Sequence, residues 1–169
     1  SFTREDSSPA SSAIVAVVGP LSNALLAVAG WGALQFGLPD VAHLLVVAFT
    51  WANALVAAFN LLPGFPLDGG HLVEAAVWGA TGNRNKGTVA AGWCGRLVTL
   101  AVVGVLVVWP LVNGRPLSMI GTVWVALIAS FMWFGASSAV QRGKVNNQLG
   151  AVALGDILRP LAVAAADIT

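Results

Sequence analysis

Four apolar runs decide what this chain can fold into. They cover residues 12–36, 41–62, 88–112 and 117–140. Each approaches or exceeds the roughly 20 residues that a helix needs to cross a bilayer. Of the 169 residues, 57% are hydrophobic and 9% charged, with a mean hydropathy of +0.84. Soluble domains carry about 25% charged residues. A soluble domain of this size could not hide so much apolar surface, so lipid is the expected solvent. The expected fold is an all-α, polytopic membrane bundle of four transmembrane helices. Residues 1–140 form the membrane part. Residues 141–169 form a polar exit segment and then, from about Leu154 to Pro160, the start of a soluble piece.

Between the second and third runs lies Asn60-Leu61-Leu62-Pro63-Gly64-Phe65-Pro66-Leu67-Asp68-Gly69-Gly70. It sets an ionisable acid between two membrane-length runs, among two prolines and three glycines that oppose a regular helix. A carboxylate at membrane depth is costly and marks function by default. Irregular backbone at that depth is tolerated where protein or a water-filled cavity covers it. The two together predict an intramembrane site, followed by a short helix over residues 71–80. Gly37–Asp40 and Asn113–Pro116 read as tight turns between antiparallel helices.

Charge sets orientation. With four crossings, one face receives Arg4, Arg84, Lys86, Arg142, Lys144 and Arg159, and the other Arg115. The positive-inside rule makes the first face cytoplasmic. This predicts a multi-pass protein of the cell membrane with the loop after Pro63 toward the cytoplasm. The net charge of +1 argues against a nucleic-acid partner. A single cysteine, Cys94, excludes an internal disulfide and a cysteine-rich metal site. No secretory signal is visible, and the polar start without methionine reads as cut from a longer chain.

Asp68 has two readings. It is a metal ligand or proton-handling group, or a loop acid capping the helix that follows, where an acid suits the positive helix end. Thr50, Asn53, Ala57 and Asn60 share one helical face at spacings of three, four and three, and that small, polar face is expected to point inward. Asn60 on it is placed to donate to a substrate carbonyl or its developing oxyanion; Asn53 reads rather as interhelical hydrogen bonding. Pro20 predicts a kink in the first crossing, with Ser22 and Asn23 near a freed carbonyl. His43 stands about 25 residues before Asp68, roughly a membrane's thickness along the helix, and is not expected to share its site. His71 is a helix-start or interface residue close enough to approach Asp68. Glu74 is expected to pair with His71 or Arg84. Trp31, Trp93 and Trp109 are placed toward crossing ends. Ala91 and Gly95 form a small-xxx-small pair for close helix approach.

The Asn-x-x-Pro-x-x-Pro-Leu-Asp-Gly-Gly segment between apolar runs resembles the site-2 protease family of intramembrane zinc metalloproteases. Val18-Gly19-Pro20-Leu21-Ser22-Asn23 is similar to that family's Ala-Gly-Pro-Leu-x-Asn segment. Gly155-Asp156-Ile157-Leu158 looks like the lead-in to the CBS pair of one branch. The resemblance implies Zn2+ held by two histidines of a His-Glu-x-x-His helix and one aspartate, which Asp68 matches. It implies a glutamate general base on that helix. It implies that Asn60 positions or polarises the scissile carbonyl. The substrate would be a transmembrane helix of a regulatory membrane protein. No His-Glu-x-x-His occurs in these residues. The family places it upstream of the Gly-Pro crossing, so the expectation is an additional amino-terminal part, without which this chain is inactive. The alternative is a non-catalytic membrane scaffold that keeps a protease-like fold. A channel or transporter fragment would use Asp68 as an ion site.

Overall fold

The computed structural model describes residues 8–115 and 117–149. The expected soluble start at 154–160 lies outside them. Six α-helices are formed, with no strand among the described residues. Four helical stretches are long and apolar enough to cross a membrane: Pro9–Phe36, Asp40–Asn60, Arg84–Val112 and Met119–Gln148.

Helix α1 (Pro9–Ala33) starts at a capping box, in which Ser8 and Ser11 exchange side-chain-to-backbone hydrogen bonds of 3.1 and 3.0 Å. It runs through Pro20 without a break in its helical assignment. The polar company that Ser22 and Asn23 provide falls on the Gly19 carbonyl, which accepts from Ser22 Oγ at 2.7 Å and Asn23 Nδ2 at 3.3 Å. A 3-10 turn over Leu34–Phe36 and left-handed Gly37 lead into α2 (Asp40–Asn60). The two helices form an antiparallel pair. They touch where Gly30 leaves room for the Thr50 hydroxyl, which donates back to the Val46 carbonyl at 2.7 Å. The inward face read from Thr50 and Ala57 is thus the face on α1. Asn53 departs from the expectation: its amide donates to Phe49 of its own helix at 2.8 Å, which satisfies it without a neighbouring helix.

Helix α3 (Asp68–Thr81) begins at Asp68, earlier than the glycine pair suggests, and ends at left-handed Gly82, whose N–H returns to the Trp78 carbonyl at 2.8 Å. Asn83 caps α4 (Arg84–Val103) by accepting from the Lys86 N–H at 3.2 Å. The third membrane-length stretch continues through a π-helical turn, Gly104–Val108, into the short α5 (Trp109–Val112). Pro110 accounts for the widened turn. It has no N–H to return, and its ring crowds the carbonyl four residues back. Helix α6 (Met119–Leu149) extends well beyond the predicted end at 140. The segment from Gly143 onward, expected as a polar exit, is helical to Leu149, and Gly143 seats it against Val89 and the Asn85 carbonyl of α4. A hydrogen bond of 3.2 Å from Asn83 to Asn147 ties the same end.

The molecule is therefore two antiparallel pairs, α1 with α2 and α4 with α6. Helix α3 packs on both α1 and α4 and joins them. The enclosed centre is small: Phe65, Ala91 and Ala139 are buried together, with Val73 against them.

Candidate functional site

The loop between α2 and α3 is folded back on α4, and the glycines explain how. Phe65 donates its N–H to the Ala91 carbonyl at 3.2 Å, outside any helix ladder. A Cβ on Gly95 would fall on the Phe65 carbonyl, and one on Gly64 would fall on the Gly95 backbone. Two backbones meet here with no side chain between them. Gly135 of α6 leaves room for the Pro66 ring, 2.7 Å from where its Cβ would stand. Gly69 and Gly70 pack against the loop's own Leu62 carbonyl and Phe65 N–H, so the loop can close over the first turn of α3. The Phe65–Pro66 peptide bond is cis. Leu61 and Leu62 donate back to Ala57 and Phe59 of α2 at 3.2 and 3.1 Å, and farther on Leu67 N–H bonds Gly64 at 3.1 Å and Gly70 N–H bonds Leu67 at 2.9 Å.

This packing delivers Asp68 to α1. Its Oδ2 lies 2.8 Å from the point where a Cβ on Gly19 would be, so the carboxylate rests on the backbone of the Gly19-Pro20 segment. The side chain is half-buried. Asp68 occupies the first turn of α3 and Leu67 is the N-cap, with no side-chain cap hydrogen bond. Asp68 is therefore a first-turn acid of α3 and not its N-cap. The carboxylate still sits at the positive end of a 14-residue helix, where negative charge is favoured.

Asn60, the last residue of α2, lies half-buried. It lines an apolar groove of about 650 Å³ between α2 and α6. Leu55 and Phe59 of α2 form one wall, Trp124 and Phe131 of α6 the other, and Leu67 of the loop closes the end beside Asp68. The groove was not legible in the sequence, because its walls look like ordinary lipid-facing residues. Asn60 is the one amide in its lining and marks its polar end.

The histidines are accounted for. His43 is exposed near the start of α2. His71 faces Glu74 at 3.6 Å, and its ring meets Phe65 edge-on at 4.7 Å. Glu74 is buried and takes the Arg84 Nε–H at 2.8 Å, so both of its expected partners are present. Burial pushes the Glu74 carboxyl pKa up, but the opposing His71 imidazole and Arg84 guanidinium outweigh it and hold the group below the usual range. Arg84 also stacks on Trp78 at 5.3 Å.

One residue escaped the sequence reading. Arg96 is a cation inside the third crossing, and its guanidinium donates to Ser137 Oγ of α6 from Nε at 3.3 Å and Nη2 at 3.2 Å. It lies over the rings of Trp93 at 4.7 Å and Trp133 at 5.4 Å. Its signal was available: an arginine with a tryptophan three residues earlier in an apolar run.

As a metal centre the donor set is partial. Asp68 offers one accessible carboxylate, the chemistry of a single oxygen ligand. No group of three or more His, Cys, Asp or Glu side chains comes together among the described residues. A catalytic zinc takes three protein ligands and an open position, so these residues fit one corner of such a site and not the whole.

Comparison with known proteins bears on this geometry. Residues 38–104 match the family model described as Peptidase family M50. A protein of Synechocystis sp., named as a candidate zinc metalloprotease (sll0528), is 30% identical over 169 residues, covering 95% of this chain and 41% of its own length. A Mycobacterium tuberculosis protein, named as a candidate zinc metalloprotease (Rip3), is 30% identical over 159 residues, covering 91% of this chain and 39% of its own. The chain thus spans about two-fifths of the length of these relatives. No solved structure matches it.

Proposed function

We propose, from the match of residues 38–104 to the family model described as Peptidase family M50, that the chain is the part of an intramembrane zinc metalloprotease of the site-2 type that carries the aspartate ligand and the substrate groove. One observation carries the reading: the Asp68 carboxylate lies against Gly19, so two segments remote in sequence, each similar to a family motif, meet at one point. In this reading a His-Glu-x-x-His helix elsewhere in the complete protein supplies the other metal ligands and the general base. When bound, zinc supplies a Lewis acid and a water of lowered pKa.

The chain's own residues have distinct tasks. Asp68 contributes one carboxylate oxygen to the metal. The α2–α6 groove accepts a transmembrane helix of a regulatory membrane protein, and its apolar walls replace the lipid around that helix. A helical peptide bond is shielded by its own hydrogen bonds, so the substrate must unwind where it meets the loop. Asn60, at the polar end of the groove, donates its amide to the exposed carbonyl and to the charge that develops there. The basic end of the bundle faces the cytoplasm, and the loop opens on that side.

The test is proteolysis of a single-pass substrate by the complete protein in liposomes. Asp68→Asn should abolish cleavage. Asn60→Ala should lower turnover by about 10²-fold while zinc content stays normal. Full activity in Asp68→Asn contradicts the reading, and loss of zinc in Asn60→Ala makes Asn60 structural.

A further inference from the structure

The outer seam between α4 and α6 faces away from the loop, and the proteolytic reading leaves it unused. At its polar end Lys86 and Lys144, with Asn85 and Asn147, frame a groove of about 350 Å³ floored by Val89, Ala90 and Gly143. Deeper in the same seam stands the Arg96–Ser137 link between Trp93 and Trp133. Lys86, Val89, Trp93 and Arg96 follow one another at spacings of three, four and three, which puts them on one face of α4. Lys144, Ser137 and Trp133 run at seven and four along α6 and meet that face from the other side.

The charges on this seam are of one sign. The acids among the described residues are Asp40, Asp68 and Glu74, which lie on α2 and α3. None lies on α4 or α6. Two cations, Lys86 and Lys144, therefore line a groove that is polar at its rim and apolar at its floor, and a third, Arg96, stands farther along the same face of α4. The guanidinium of Arg96 has five N–H donors, and Ser137 Oγ takes two of them. Cationic side chains at this depth are retained where an anion or polar group answers them. In a bilayer the matching object has a negative headgroup and an acyl chain.

We propose that the outer α4–α6 seam is a binding site for an anionic phospholipid. The headgroup phosphate sits between Lys86 and Lys144, and an acyl chain lies on the Val89–Ala90–Gly143 floor and runs down the seam toward the Trp93 and Trp133 rings. Basic pockets between transmembrane helices hold acidic headgroups in this way. The same two helices grip the active-site loop at Gly95 and Gly135 from the opposite side, so a lipid that clamps the seam also steadies the loop's seat.

Native mass spectrometry of the complete protein, released from neutral detergent micelles, tests this with phosphatidylglycerol against phosphatidylcholine of the same acyl chains. Phosphatidylglycerol should be retained preferentially. Each lysine is worth roughly fivefold, so Lys86→Gln with Lys144→Gln should lower that preference roughly thirtyfold. Both lysines are exposed, so this pair of changes spares the fold. Arg96→Gln cuts the link to Ser137, so the lysine pair decides. Equal retention of the two lipids overturns the proposal, as does an unchanged preference in the double variant. Displacement by free glycerol phosphate also overturns it, in favour of a soluble anion.

Discussion

At the residue scale, Asp68 and Gly19 define each other. Glycine at position 19 is what lets a carboxylate lie on α1, because a Cβ there would stand 2.8 Å from Asp68 Oδ2. Gly19→Ala should therefore displace the end of one side chain and leave the bundle intact. In the complete protein it should lower turnover by about 10- to 100-fold, the usual effect of a misplaced reacting group, with an unchanged thermal midpoint. Asp68 itself was legible as an isolated acid in a Pro/Gly loop. Its contact with Gly19 was not, since no local pattern reports which helix a loop will reach. Arg96 was equally visible as a letter, but its meaning depends on Ser137, 41 positions away.

At the element scale, the loop's shape belongs to the glycines around it. Gly95→Ala would drive a methyl into the Phe65 carbonyl. It should destabilise the protein by about 1–3 kcal/mol, as overpacking does, and thermal unfolding in detergent measures this. Gly32 is the control: nothing lies within 4 Å of its Cβ position, so Gly32→Ala should be neutral or stabilise by up to about 1 kcal/mol through helix propensity. Helix α3 carries its own pH dependence. The pKa of Glu74 is lowered in the fold, so its ion pair contributes fully above the ordinary carboxylate range and is lost as pH falls through the depressed value. Half of the Arg84 side chain is exposed, which keeps the contribution near about 1 kcal/mol. The thermal midpoint of the wild type should thus fall more steeply on acidification than that of Glu74→Gln. A parallel fall in both would remove the pair from the stability of α3. The crossings were readable because each is a long apolar run. Their ends were not. Helix α6 continues to Leu149 on a tertiary contact at Gly143, and the π turn before Pro110 answers a local loss of a hydrogen bond.

At the scale of the whole molecule, two helix pairs meet through α3 and leave a gap between α2 and α6. The four membrane-length stretches and the place of the loop are readable from sequence alone. The gap depends on which pairs pack, and apolar faces that meet lipid and faces that meet a substrate look alike. If the gap admits the substrate, bridging it should stop proteolysis. Leu55→Cys with Phe131→Cys, joined by a short thiol cross-linker in a Cys94→Ala background, should abolish cleavage, and a reducible linker should restore it on reduction. Undiminished cleavage in the bridged protein would move substrate entry elsewhere.

Asp68 is proposed as a metal ligand, and zinc stoichiometry of the purified complete protein measures that directly. Wild type should retain zinc through dialysis, and Asp68→Asn should lose most of it while keeping the same elution volume and thermal midpoint. An Asp68→Asn protein that holds as much zinc as wild type would contradict the assignment.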